Sequence, residues 1–188
     1  MIYFTSDQHF GHRRIIEYCK RPYANTHEMD RDIIDKYNSI VKENDLVYHL
    51  GDFSLSKGAV RSILPILKGH KILIKGNHDW CHPIHSKSPE KMTNREKLYL
   101  DHGFKELRLE DRIYIGDRYV NLHHMPYFDE KHKDLRYKDL RPVDKGEWLL
   151  HGHVHTSWKT KGKMLNVGVD QWNFAPVSWD EIKAVLDE

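Results

Sequence analysis

Cysteine is nearly absent: Cys19 and Cys81 are the only two among 188 residues. Two are too few for a disulfide framework, and they read as free thiols of a reducing, cytoplasmic setting that pack rather than ligate. No apolar run approaches the ~18 residues of a membrane span, and no basic–apolar–small leader follows Met1, so no membrane is expected as a partner. Net charge is missing too, with 30 Lys and Arg against 28 Asp and Glu, which leaves +2. That balance provides no bulk field to recruit nucleic acid or an anionic bilayer. Internal repeats, low-complexity tracts and linkers are also lacking, and 39% hydrophobic residues suffice for one core, so residues 1–188 read as a single domain. What the chain has in excess is histidine, 15 in all, and their positions decide whether they carry chemistry.

The stretch that organises the rest is Lys71–Asp79. Ile72, Leu73 and Ile74 form a short apolar run typical of a buried strand; Gly76 punctuates it, and Asn77, His78 and Asp79 follow at once. Ile2–Thr5, Leu46–Leu50 and Trp148–Leu150 are further strands that end on polar residues. Apolar residues at helical spacing predict helices over 28–41, 59–67 (shortened or bent by Pro65), and 90–102 with Gly103 as its stop. Arg13 to about Lys20 makes a short helix, and Ser178–Glu181 fits a capping box that opens a last helix. Segments 104–109, 112–115 and 118–122 read as successive antiparallel strands, 127–146 as a long loop, and 164–169 as strand-like. The pattern predicts an α/β layered fold with a mixed sheet or two packed sheets and helices outside.

Five strand ends carry donor residues: Asp7 with His9, Asp52, Asn77 with His78, His123 or His124, and His153 with His155. Alternate residues of an extended chain share a face, so each i, i+2 pair can aim at one point. Oxygen and imidazole donors without thiolate suit Mn, Fe, Co, Ni or Zn. Seven donors exceed one tetrahedral site and match two ions. Two dications ~3.5–4 Å apart repel by roughly 18 kcal/mol at an effective dielectric of ~20. Anions between them must offset that repulsion, and Asp52 and a hydroxide are natural bridges.

Asp7-x-His9, Gly51-Asp52, Gly76-Asn77-His78-Asp79, a histidine ahead of Pro126 and Gly152-His153-Val154-His155, in that order, resemble the calcineurin-like metallophosphoesterase superfamily. Phe10-Gly11-His12 and the run Asn166–Asp170 resemble its small bacterial and phage members without a cap domain. The resemblance implies an α/β/β/α sandwich of two mixed sheets flanked by helices. It implies a dinuclear centre, with manganese first among the candidate metals: Asp7, His9 and His155 on one ion, Asn77, His124 (rather than His123) and His153 on the other, and Asp52 bridging. It places His78 at the scissile phosphate, with Asp79 orienting its imidazole. His12 and Arg13, with Arg14, are candidate phosphate contacts; His151 is poised between supporting the site and packing. His27, His49, His70, His82, His85, His102 and His132 read as ordinary, and Trp148, Trp172 and Trp179 as core or interface. The expected activity is hydrolysis of a phosphoester, a nucleotide included, with diesters ahead of monoesters. Pocket walls are expected at 10–14, 80–90 and 126–142. A nuclease and a non-catalytic scaffold of the same fold are the competing readings; filled ligand positions disfavour the second.

Overall fold

The structure, a computed structural model, describes residues 1–128 and 135–187, the side chains of 135 and 136 excepted. Alternation along the strands sets its layers. In β1 (Ile2–Thr5), β2 (Leu46–His49) and β3 (His70–Ile74), both faces are apolar, as befits a sheet covered on each side. Tyr3, Val47 and Leu73 face one way and pack on α1 (Arg13–Tyr18), α2 (Thr26–Ile40), α3 (Lys57–Ile63) and α4 (Pro89–His102) through Ile15, Ile33, Tyr37, Val60 and Tyr99. Phe4, Tyr48, Ile72 and Ile74 face the other way and meet Val120, Leu122, Leu150 and Leu165 of a second sheet.

The first sheet has the order β10-β1-β2-β3-β4, where β4 is Phe104–Arg108 and β10 is Val177–Ser178. β1 to β4 run parallel, and β10 lies antiparallel along β1. The second sheet runs β5-β6-β7-β9-β8, from β5 (Glu110–Ile115), β6 (Arg118–His123), β7 (Trp148–His151), β8 (Thr160–Lys161) and β9 (Met164–Asn166). β6, β7 and β9 are parallel neighbours, while β5 and β8 are antiparallel edges. The final helix, α5 (Trp179–Asp187), buries Ile182 and Leu186 in the core between the sheets.

Local chemistry fixes the helix ends. Asn25 caps α2 by accepting from Glu28 N, Ser88 caps α4 ahead of Pro89, and Gly103 ends α4 at φ +140°. Ser178 Oγ accepts from Glu181 N while Glu181 accepts from Ser178 N, the predicted capping box. α3 stops at Ile63, and Pro65 sits in a 3-10 turn over Leu64–Ile66.

One expectation is corrected. Segment 104–109 does not continue into the antiparallel meander; β4 pairs parallel with β3, and only β5 and β6 form the hairpin. Helix α4 supplies the crossover a parallel neighbour requires, and a period of two does not tell which edge a strand joins. Within the expected loop 127–146, residues 135–140 form a 3-10 turn; residues 129–134, with His132, lie outside the described residues.

Candidate metal centre

The carboxyl ends of three parallel strands stand level, Thr5 beside His49 and His49 beside Leu73. Backbone hydrogen bonds lace the loops that follow: Asp7 N–H donates to Gly51 O at 3.0 Å, and His9 N–H to Asp52 O at 3.1 Å. From the second sheet, Gly152 N–H donates to His124 O and Val169 N–H to Ser6 O, each at 3.0 Å. Glycine makes this approach possible. A Cβ on Gly51 would stand 2.5 Å from Gly76 N and 2.7 Å from His124 Nδ1; one on Gly152 would strike Ser6 and Asp7.

Asp7, His9, Asp52, His153 and His155 all adopt left-handed backbone, with φ of 61°, 53°, 57°, 69° and 46°. That region costs an L-residue about 1–2 kcal/mol, and Asp and His tolerate it better than most. Such conformations persist only where surrounding structure enforces them, and they gather at functional sites.

The side chains converge. Single ligand atoms of Asp7, His9 and His155 lie within 4.8 Å of one another, and so do those of Asp7, Asp52 and His124. Asp52 Oδ2 stands 3.5 Å from His9 Nε2 and 3.4 Å from His124 Nε2. His124 Nδ1 lies 2.7 Å from Leu50 O, a carbonyl that only accepts, so Nδ1 carries the proton and Nε2 faces inward. There it meets Asn77 Oδ1 at 3.1 Å as well as Asp52. Neutral His124 leaves three lone-pair atoms facing one another, a conflict that a cation between them, a second imidazole proton or a turned Asn77 amide relieves; Asn77 Nδ2 is itself buried without a partner among the described residues. Burial opposes that second proton, yet the Asp52 carboxylate outweighs it and lifts His124 to about 9. Burial likewise opposes charge on Asp52, and His124 and His9 prevail, holding it well below the usual carboxylate range. Burial pushes His9 and His153 well below the ordinary histidine value and raises Asp7. Among the described residues neither ring nitrogen of His9 has a hydrogen-bond partner, although the side chain is only 2% exposed. Unmet buried polar atoms each cost about 1–3 kcal/mol, so these residues fit divalent cations. The oxygen and imidazole set matches borderline metals.

A family model described as the calcineurin-like phosphoesterase superfamily domain matches residues 2–171. The chain belongs to that superfamily. This calcineurin-like chain is 32% identical over 197 residues to an uncharacterized protein of Methanocaldococcus jannaschii, covering 100% of itself and 92% of that protein. It is 31% identical over 191 residues to the Gene 66 protein of Mycobacterium phage L5, covering 96% and 91%. Its fold is similar to that of a protein of unknown function from Aquifex aeolicus, with TM-score 0.71, 28% identity and 98% of each chain covered. Superfamily membership supports a phosphoesterase that uses divalent metal ions.

Around the calcineurin-like centre the structure distributes the remaining expected residues unevenly. His153 joins it, its ring 5.4 Å from that of His124 and its backbone N–H donating to Asp7 Oδ2 at 3.0 Å. His123 does not; its Nδ1 accepts from Met125 N at 2.9 Å, and burial lowers it to about 4. His78 sits exposed at the rim with its ring 5.7 Å from that of His9, and the half-buried His12 ring lies 5.6 Å from the same one. Arg13 stays outside, its side chain 87% exposed beside Glu17. His151 is buried against Trp158 at 4.7 Å.

Asp79 has partners other than the expected imidazole. Its carboxylate accepts from Gly76, Asp52 and Phe53 backbone N–H groups at 2.8, 2.9 and 2.9 Å. Because Asp79 N–H closes a turn on Gly76 O, its side chain swings into the interior while His78 points out.

Several supporting residues escaped sequence reasoning. Asp170 Oδ2 lies 3.1 Å from His155 Nδ1, which leaves Nε2 directed at Asp7. Arg21 grips Asp170 with two hydrogen bonds at 2.8 and 2.9 Å and donates to the carbonyls of Asp7 and Gln8. His85 Nε2 lies 2.8 Å from Asn77 O, and His49 Nδ1 accepts from Gly51 N at 3.1 Å. The available signal was the run Asn166–Asp170 and the excess of histidine. Cys19 has its sulfur within 4.8 Å of His155 and Asp170 ligand atoms, closer to the centre than a packing role implies.

Proposed function

We propose that this protein is a phosphodiesterase with a dinuclear metal centre. Asp7, His9 and His155 hold one divalent cation, Asn77, His124 and His153 the other, and Asp52 is shared. The observation that carries this reading is the position of Asp52 Oδ2, between His9 Nε2 at 3.5 Å and His124 Nε2 at 3.4 Å. When bound, two such cations supply positive charge to phosphate oxygens and acidify water for attack at phosphorus.

The chain's own residues do the rest. Asp170 and Leu50 O hold the outer nitrogens of His155 and His124, so that the inward ones are those that give up a proton to take a metal. His78, exposed at the mouth, protonates the departing oxygen where an ester group can extend into solvent. His12, whose ring lies 5.6 Å from that of His9, contacts a phosphate oxygen. Arg21, the guanidinium behind Asp7, is engaged by Asp170 and two carbonyls and does not reach substrate. The exposed mouth at His78 leaves room for the second ester group of a diester, which a monoester lacks. The mixed oxygen and nitrogen donors suit manganese, with Fe, Co, Ni and Zn as alternatives.

The test is reconstitution of chelator-stripped protein with Mn, Fe, Ni or Zn, followed by metal analysis and rates on bis(p-nitrophenyl) phosphate and p-nitrophenyl phosphate. Two equivalents of metal and faster diester cleavage are expected. One equivalent, or a preference for the monoester, rejects the corresponding half of the proposal.

A further inference from the structure

A second surface of interest lies outside the cluster, in a groove of about 590 Å³ between α3 and α4, walled by Lys57, Arg61, Trp80, Lys91, Arg95 and Leu98. Lys97 borders it too but is paired with Asp101 at 2.8 Å. Among the described residues, Lys57, Arg61, Lys91 and Arg95 meet no carboxylate at ion-pair distance. Four uncompensated cations on one groove make a concentrated field in a chain whose total charge is +2.

Their spacing says what the field is for. Lys57 and Arg61 are one helical turn apart on α3, as are Lys91 and Arg95 on α4, so each wall repeats its charge every ~5–6 Å. A single phosphate would need donors converging on one point; a line of charges matches the successive phosphates of an extended strand. Trp80 stands at the head of the groove, its backbone N–H donating to Tyr99 Oη at 2.9 Å. Lys57 Nζ lies 3.2 Å and Arg95 Cζ 4.7 Å from the centre of its indole, which holds both cations in place. Arg95 Nη1 is buried there without a hydrogen-bond partner among the described residues. Trp80 follows His78 by two residues, so the chain passes from the rim of the metal centre directly into the wall of the groove.

We infer that this groove binds the phosphodiester backbone of single-stranded nucleic acid and leads it to the metal centre. The strand's fate rests on the phosphodiesterase reading; its binding does not.

The test is fluorescence anisotropy of a labelled oligothymidylate with chelator-treated protein across a salt series. Arg61→Glu/Lys91→Glu should weaken binding about tenfold or more and flatten the slope of log affinity against log salt by about 1.4, at ~0.7 per lost phosphate contact. Lys42→Glu/Lys183→Glu changes net charge equally at exposed positions outside the groove and should leave that slope in place. Equal weakening by both pairs, no binding by the unaltered protein at low salt, or tighter binding of duplex overturns the proposal. Cleavage of bis(p-nitrophenyl) phosphate by unaltered, metal-loaded protein is measured alongside. Cleavage without strand binding overturns the groove alone, and strand binding without cleavage overturns the phosphodiesterase reading alone.

Discussion

A histidine serves a metal best through one nitrogen when a partner on the other fixes its tautomer. His124 has Leu50 O and His155 has Asp170. Asp170→Asn offers an amide that can donate as well as accept, so the His155 tautomer is no longer fixed. Metal affinity should fall about 10- to 100-fold, read by titration of stripped protein with Mn²⁺. The division between holding metal and moving protons makes a second prediction. His78→Ala should keep its metal and lose about 10²- to 10⁴-fold in kcat, whereas Asp52→Ala should lose metal and activity together. Full activity of both in metal-stripped buffer would end the proposal. The donors were legible in the sequence because they stand at strand ends in chemically improbable company. Asp170 and Arg21 were not, because a residue that orients another is recognised only by its partner, and Arg21 is 149 positions away from Asp170.

Elements position what single residues cannot. The levelled ends of β1, β2 and β3 bring three loops to one edge, and Asp79 ties two of them by accepting from Gly76, Asp52 and Phe53 N–H. Removing that acceptor strands three N–H groups at about 1–3 kcal/mol each. Asp79→Ala should therefore destabilise the fold by at least about 3 kcal/mol and weaken metal binding through the displaced Asp52 loop. Urea unfolding and metal titration check both; a stable, metal-replete variant with only a shifted pH–rate profile would return Asp79 to the imidazole-orienting role. The helices and most strands could be read from periodicity and caps, down to the Ser178–Glu181 box. The partner of β4 could not, nor could the two-residue strands β8 and β10, since pairing is decided by tertiary contacts.

At the scale of the whole molecule, the abundance of histidine sets how stability depends on pH. Burial holds His49 at about 3 and both His82 and His123 at about 4, and it pushes His9 and His153 well below the ordinary value. In the unfolded chain each returns to ~6.5. Between pH ~6.5 and ~4, the unfolded state thus carries an extra proton at each of these five. Asp7 and Asp79 work the other way, because burial raises both, Asp79 to about 7, and the folded state keeps protons that the unfolded state releases. The lowered histidines, with His12 also among them, outnumber the raised aspartates, so stability falls on acidification through this window. His124, at about 9, and His155 are raised, hence protonated in both states below pH ~6.5 and silent in that window. Above it the metal-free fold keeps their protons while the unfolded chain loses them, and their stabilisation fades as pH rises through the folded values. Protons and metal compete for those two imidazoles, so metal binding must release protons. With chelator, the urea midpoint should drop from pH 6.5 to pH 5; excess Mn²⁺ should raise it more at pH 8 than at pH 6. A midpoint flat between pH 6.5 and 5, or metal stabilisation equal at both higher values, would show that these histidines do not exchange protons for cations.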